Sequence, residues 1–232
     1  MFDRLANVRV IEGCSPDALP LDMLLEDGLP TVLKGLARDW SLVRAGQDSP
    51  RAAMDLLRAH YNGRPVQYSW GEPETAGRPF YNAGFTALNC AVRRGGLDQV
   101  LDELAGYMDD PRPPTYYVAS LLVDYCLPGL RAENDLGFAA LGIDAPPSIW
   151  IGNRVTASCH YDAPNNIACC TVGRRRFTLF PPEQIVNLYP GPLEPTPGGQ
   201  AVSVVDFTAP DFERYPRFRQ ALETARTVVL EP

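Results

Sequence analysis

The sequence predicts a mixed α/β protein that is mainly β in its second half. Three observations predict it. Proline makes up 23 of the 232 residues, roughly double the usual share, and an internal proline breaks a helix by removing a hydrogen bond and crowding the preceding turn. Helical apolar spacing before residue 115 is confined to short stretches. From residue 115 onward, short apolar or alternating runs follow one another with turns between them.

The elements follow in order. Residues 17–26 carry Leu21, Leu24 and Leu25 at helical spacing and stop at Gly28. Pro30 to Leu33 reads as a strand. Ser49 caps a helix whose first position is Pro50; Met54, Leu56 and Leu57 line it, and it ends before Asn62-Gly63. Val66 to Trp70 alternates as a strand does, and Leu97 to Met108 is a second good helix. Asp109 to Pro114, with three prolines, divides 1–114 from 115–232. Strands are then expected at Thr115–Val118, Ser148–Gly152, Ala157–Tyr161, Ile167–Val172 and Arg175–Phe180. The Gly173-Arg174 turn would join the last two as a hairpin. A Pro- and Gly-rich loop spans 190–199. Val202–Val205 is a further strand, Pro216–Leu222 a short helix, and Thr227–Leu230 begins one more strand. Trp40, Trp70 and Trp150 are expected in the core.

The net charge of −7 disfavours nucleic acid, which recruits basic faces. No apolar run approaches the roughly 20 residues a membrane helix needs. Met1-Phe2-Asp3-Arg4 has no apolar signal core, so a cytoplasmic protein is expected. The six cysteines form no Cys-x-x-Cys pair and read as reduced, small hydrophobes.

His160-Tyr161-Asp162 is the informative stretch. On a strand, residues i and i+2 share a face, so the imidazole and the carboxylate can converge on one metal ion. That is two-thirds of the two-histidine, one-carboxylate set of non-haem Fe(II) oxygenases. The plain alternative is a surface strand with no metal. Further on, Arg175, Phe177 and Leu179 share a face. An arginine drawn inward there needs an anion, and its fork suits a carboxylate; the alternative is a solvated basic turn. Asp124, Arg131, Glu133 and Asp135 line either a substrate mouth or a solvated loop. His60, at a helix end, reads as a partly exposed histidine.

His160-Tyr161-Asp162, Asn166 and the run Gly173-Arg174-Arg175-Arg176-Phe177-Thr178-Leu179-Phe180-Pro181-Pro182-Glu183-Gln184 together resemble the JmjC-type, cupin-like Fe(II)/2-oxoglutarate oxygenases. Among these, the likeness is to the asparaginyl hydroxylase of hypoxia-inducible factor and its bacterial relatives. It continues through Leu188-Tyr189-Pro190, Val205-Asp206-Phe207 and Pro210 to Pro216. It covers 115–232 well and 30–114 loosely, through Gly35 to Trp40 and Phe80-Tyr81-Asn82.

The resemblance implies a double-stranded β-helix, or jelly-roll, core at 115–232 with 1–114 packed on it as an α/β elaboration. It implies His160 and Asp162 as iron ligands, and Tyr117, Asn166 and Arg175 on 2-oxoglutarate, with Tyr116 competing for the tyrosine role. The hydroxylase has lysine at the Arg175 position and threonine where this chain has Ala157. It implies a protein, peptide or small-molecule substrate and, in a longer protein, a homodimer. The family's second histidine ligand follows a Gly-Asp turn on a later strand, yet no histidine follows His160 and Val229-Leu230-Glu231-Pro232 stands where that turn would begin. The expectation is a core without its third ligand and last strands. That makes the chain either a fragment of an oxygenase or a non-catalytic cupin-like binding module.

Overall fold

A computed structural model describes residues 6–232; Met1 to Arg4, read above for a leader, lie outside the described residues. The chain runs β1 (Ala6–Asn7), β2 (Arg9–Ile11), α1 (Leu21–Asp27), β3 (Thr31–Leu33), α2 (Ser41–Asp48), α3 (Pro50–His60), β4 (Val66–Gly71), β5 (Ala91–Gly95) and α4 (Leu97–Gly106). It continues through β6 (Thr115–Leu122), α5 (Val123–Cys126), β7 (Ser148–Gly152), β8 (Arg175–Leu179), α6 (Phe218–Thr224) and β9 (Arg226–Leu230). The mixed α/β content and the antiparallel sheets agree with the expectation from sequence. Among the described residues no helix is long and apolar enough to cross a membrane.

An antiparallel sheet of order β5-β4-β6-β7 takes two strands from each side of residue 114. The helices α2, α3 and α4 contribute its core. In α4, Leu97, Val100, Leu101 and Leu104 are buried, the spacing of one helical face. They meet Leu42, Leu57, Val66, Tyr116 and Val118 in a single cluster. The Ser49 hydroxyl accepts from the Ala52 N–H at 3.0 Å and starts α3. Buried Asn134 accepts from the Leu42 N–H (3.0 Å) and donates to Ser41 Oγ (2.9 Å) and the Leu130 carbonyl (2.8 Å). Its amide is therefore satisfied, as burial requires.

A second sheet, β1-β9-β8, pairs β8 antiparallel with β9 and β9 parallel with β1. A smaller core of Val205, Phe218 and Ala221, wrapped by Phe180, Tyr189, Phe207 and Phe212, lies under α6. Parallel β2 and β3 stand apart.

Several local expectations fail. Ala157–Tyr161 and Ile167–Val172 form no ladder, so the 167–180 hairpin is absent and β8 pairs with β9 instead. The His160 ring bonds the Ser158 carbonyl at 2.7 Å, a local side-chain contact that competes with strand pairing. Val202–Val205 keeps only an isolated bridge, Pro190 to Ser203. Helix α2 and strand β5 had no clear sequence signal. Trp150 is 53% exposed on the outer strand β7, and Trp40 and Trp70 are half-buried.

Candidate functional site

The site begins with strand alternation in β6. Tyr116 turns inward, is buried, and lies against the rings of Tyr68 and Tyr107 at 5.9 and 6.3 Å. Tyr117 therefore takes the other face. It sits opposite Gly152 of β7, where an added Cβ would fall 2.7 Å from the Tyr116 carbonyl and 3.1 Å from the Tyr117 ring. The missing side chain leaves the ring its place.

Arg175, the first residue of β8, reaches Tyr117 from the second sheet. Burial pushes the Tyr117 hydroxyl up, the charge and hydrogen bond of Arg175 pull it down, and Asp162 pushes it up again. The net rise keeps Tyr117 a neutral donor. Arg175 also stands 5.6 Å from the Phe177 ring, on the face it shares with Phe177 by strand period. The position of β8 is fixed partly by α2. The Thr171 carbonyl packs so close to Gly46 that a Cβ there would lie 2.0 Å from it.

His160 and Asp162 meet on an open segment, with His160 Nε2 3.8 Å from Asp162 Oδ1 and side chains 31% and 52% exposed. His160 Nδ1 is 2.7 Å from the Ser158 carbonyl. A carbonyl only accepts, so Nδ1 carries a proton, and Nε2 is the ring nitrogen turned towards Asp162. Asn166 Nδ2 donates to Asp162 Oδ2 at 3.1 Å. Gln200 Nε2 donates to the Tyr161 carbonyl at 2.9 Å and to Asp162 Oδ1 at 3.5 Å. The Ser203 N–H to the Cys159 carbonyl (2.8 Å) ties the segment to the 202–205 run.

Of the residues singled out from sequence, the structure brings together His160, Asp162 and Asn166, and sets Tyr117 with Arg175 in electrostatic reach of Asp162. Tyr116 is committed to the core. Arg131 binds both Asp124 and Asp135, which makes that stretch an internal ionic clasp. His60 Nδ1 lies 3.3 Å from the Pro128 carbonyl, which links the end of α3 to the segment after α5. Sequence reasoning missed Gln200 and the Ser158 carbonyl; Gln200 follows a Pro- and Gly-rich loop and carries no local signal. Burial pushes the Cys159 thiol up to about 11, so it is neutral and inert beside His160.

The donor chemistry, imidazole nitrogen plus carboxylate, fits a divalent first-row metal. The pair offers two donors, and no group of three His, Cys, Asp or Glu occurs among the described residues. The arrangement defines a mixed α/β protein with an imidazole–carboxylate pair facing a tyrosine–arginine pair. The chain belongs to the cupin-like domain family, whose model matches residues 18–232. It is similar to human HSPB1-associated protein 1, with 35% identity over 83 residues, 35% of this chain and 17% of that protein. It matches a zebrafish homologue of that protein with 33% identity over 122 residues, 50% of this chain and 26% of the other. A third relative is the lysine-specific demethylase JMJ31 of Arabidopsis thaliana, 30% identical over 86 residues, 36% of this chain and 15% of the demethylase. The chain thus spans between 15% and 26% of the length of these relatives.

Proposed function

We propose that the chain carries the core of an Fe(II)- and 2-oxoglutarate-dependent oxygenase, a hydroxylase built on a jelly-roll, acting on a protein or small-molecule substrate. The observation that carries this reading is the convergence of His160 Nε2 and Asp162 Oδ1, 3.8 Å apart, near the Tyr117–Arg175 pair. Family membership across residues 18–232 supports it. The single backbone bonds linking 159, 189–191 and 202–204 are consistent with a jelly-roll core. Relatives named for association with another protein favour a protein over a metabolite as partner.

In this reading His160 and Asp162 hold iron. Arg175 receives a carboxylate of 2-oxoglutarate through its fork, Tyr117 donates its hydroxyl, and Asn166 orients the cosubstrate from the Asp162 side. Iron with 2-oxoglutarate supplies oxygen activation coupled to decarboxylation, which ends in hydroxylation of a C–H bond. The protein's part is to turn His160 Nε2 towards Asp162, hold the Asp162 carboxylate between the Asn166 and Gln200 amides, and keep a guanidinium partly desolvated for the cosubstrate.

A second reading, a non-catalytic cupin-like binding module, is favoured by the two-donor set. One experiment separates them: anaerobic titration of the 232-residue chain with Fe(II) and 2-oxoglutarate, followed by the visible charge-transfer band of the chelate. The expected result is a band that Asp162→Ala abolishes. No band at saturating Fe(II), or one unchanged in Asp162→Ala, overturns the oxygenase reading for this chain.

A further inference from the structure

We infer that the Ser158 hydroxyl is a further contact for the carboxylate that Arg175 and Tyr117 receive in the proposed function. The inference rests on the cosubstrate pocket of that reading and not on its metal.

Ser158 is 6% exposed, and its hydroxyl has no hydrogen-bond partner among the described residues. Buried polar groups are ordinarily paired, because an unpaired one keeps the cost of leaving water. The other buried polar residues, Thr115, Asn134 and Ser203, obey this rule. The Thr115 hydroxyl is bonded to that of Thr75. The Ser203 hydroxyl donates to the Leu188 carbonyl and accepts from the Val205 N–H, and the Asn134 amide is satisfied. Arg9 and Arg78 each have a buried Nη2 without a partner, but each guanidinium is bonded through another nitrogen, to Asp27 and Asp206. Of the buried polar residues described, Ser158 alone has a side chain with its whole hydrogen-bonding capacity unused.

The backbone on either side is anchored. The Thr156 N–H donates to the Gly77 carbonyl and the Cys159 carbonyl accepts from the Ser203 N–H, both at 2.8 Å. Ser158 is not placed as a nucleophile, which needs a base within hydrogen-bond reach. The neighbouring imidazole is occupied, with Nδ1 on the Ser158 carbonyl itself and Nε2 turned to Asp162. A neutral hydroxyl is also a poorer donor to a first-row metal than the imidazole and carboxylate beside it. A hydrogen bond to a bound molecule remains. A chain of contacts leads from Ser158 to the cosubstrate groups: its carbonyl to His160 (2.7 Å), His160 to Asp162 (3.8 Å), and Asp162 by charge to Tyr117, which Arg175 bonds. Arg175 and the neutral Tyr117 hydroxyl are donors, so the ligand they share presents acceptors. A bidentate Arg175 fork and the Tyr117 hydroxyl leave open one of about four acceptor positions on a carboxylate, and Ser158 supplies the donor for it.

The test is a pair of titrations on the whole chain and on Ser158→Ala. Glutarate has both carboxylates of 2-oxoglutarate and no keto oxygen to chelate a metal; it is titrated by calorimetry without metal. The cosubstrate 2-oxoglutarate is titrated at saturating Fe(II) by the charge-transfer band. Ser158→Ala should bind each about tenfold less well, as loss of one hydrogen bond to a charged group does. Fe(II) affinity should not change, and the urea midpoint should hold or rise, because the variant removes a hydroxyl with no partner in the unliganded chain. Unchanged dicarboxylate affinity overturns the inference, and a fallen midpoint alongside it assigns the hydroxyl to an ordered water only. A matching loss of Fe(II) affinity overturns it too, since Ser158 then does no more than position His160. Failure of the wider reading looks different. No band, with glutarate binding that Ser158→Ala weakens, overturns the oxygenase reading and leaves this inference standing. A band indifferent to Ser158→Ala does the opposite, and a wild-type chain that binds neither dicarboxylate overturns both.

Discussion

The region built on α2–α4 and β4–β7 and the stretch from 153 to 210 are held together by different means. The first encloses one continuous apolar cluster, with Leu97, Leu101 and Val118 fully buried. The second has almost no regular ladder. Beside the β8–β9 ladder and the smaller core around Val205, its ties are single polar bonds: the Thr156 N–H to the Gly77 carbonyl (2.8 Å), the Tyr81 hydroxyl to the Pro192 carbonyl (2.9 Å), Arg78 to Asp206 (2.7 Å), and Gln200 to Tyr161 (2.9 Å). Such bonds contribute about 1 kcal/mol each, against several for a core side chain. The larger apolar core lies in the first region, while the polar ties of the second hold exposed groups in place. In the proposed function that openness would let a cosubstrate and oxygen reach the His160–Asp162 pair.

The largest effect should come from the core. Leu101→Ala should cost about 3 kcal/mol, read by urea denaturation. Asp162→Ala, at a half-exposed position, should shift the same curve by under about 1 kcal/mol. Equal losses would break the contrast between the regions. Next is Gly46→Ala, which sharpens it. The added methyl meets the Thr171 carbonyl, so α2 and the lead-in to β8 must separate, at about 2 kcal/mol. It should also disturb the Tyr117–Arg175 pair, seen as a changed Tyr117 signal in ultraviolet difference spectra. An unchanged signal would mean that the two regions move independently.

The first region was legible because its signals are periodic. The 3.6-residue spacing of Leu97, Val100, Leu101 and Leu104, the Ser49-Pro50 start and the alternation in Val66–Trp70 are properties of neighbouring residues. The motif at His160 was legible for another reason: family likeness lies in residue identity and needs no period. The error lay between them. Ala157–Tyr161 and Ile167–Val172 have strand composition, yet strands form only where partners donate. Here Cys159 receives one bond from Ser203, and His160 turns to the Ser158 carbonyl. Trp150 was read as core because it is large and apolar, but β7 is the outer strand of its sheet, a property of topology. Gln200 was invisible because its role depends on a contact across 38 residues of chain.

Gln200 offers the next comparison. If polar ties aim the second region, Gln200→Ala should weaken Fe(II) binding about tenfold, the lower end of what outer contacts to a ligand contribute. It should leave the urea midpoint in place. Gln200→Glu would set a second carboxylate beside Asp162 and should not rescue the cosubstrate band. If Gln200→Ala lowers stability and leaves metal affinity untouched, the residue is a strut and does not aim the ligand.

The smallest effect concerns acid, and it sets one carboxylate of each region side by side. In the first region, the hydrogen bond from Arg131 holds Asp135 below the ordinary carboxylate range. In the second, burial pushes Asp206 up, but the Thr208 hydroxyl and N–H, Arg78 and the Ala209 N–H outweigh it and hold the carboxyl low. A carboxylate depressed in the folded state binds fewer protons there than in the unfolded chain. Its contribution is therefore complete above the unfolded pKa, about 3.9, and is lost as pH falls through the folded value. Both residues are partly exposed, so each loss should stay within about 1 kcal/mol. They should differ in place. Asp206→Asn should remove the acid dependence of amide exchange at Thr208 and Ala209, whose N–H groups bond its carboxylate, and leave exchange around Gly137 unchanged. Asp135→Asn should do the reverse, since the Gly137 N–H bonds Asp135. If either variant flattened the acid response of both segments, the two regions would open as one unit, and the division between a packed half and an aimed half would fail.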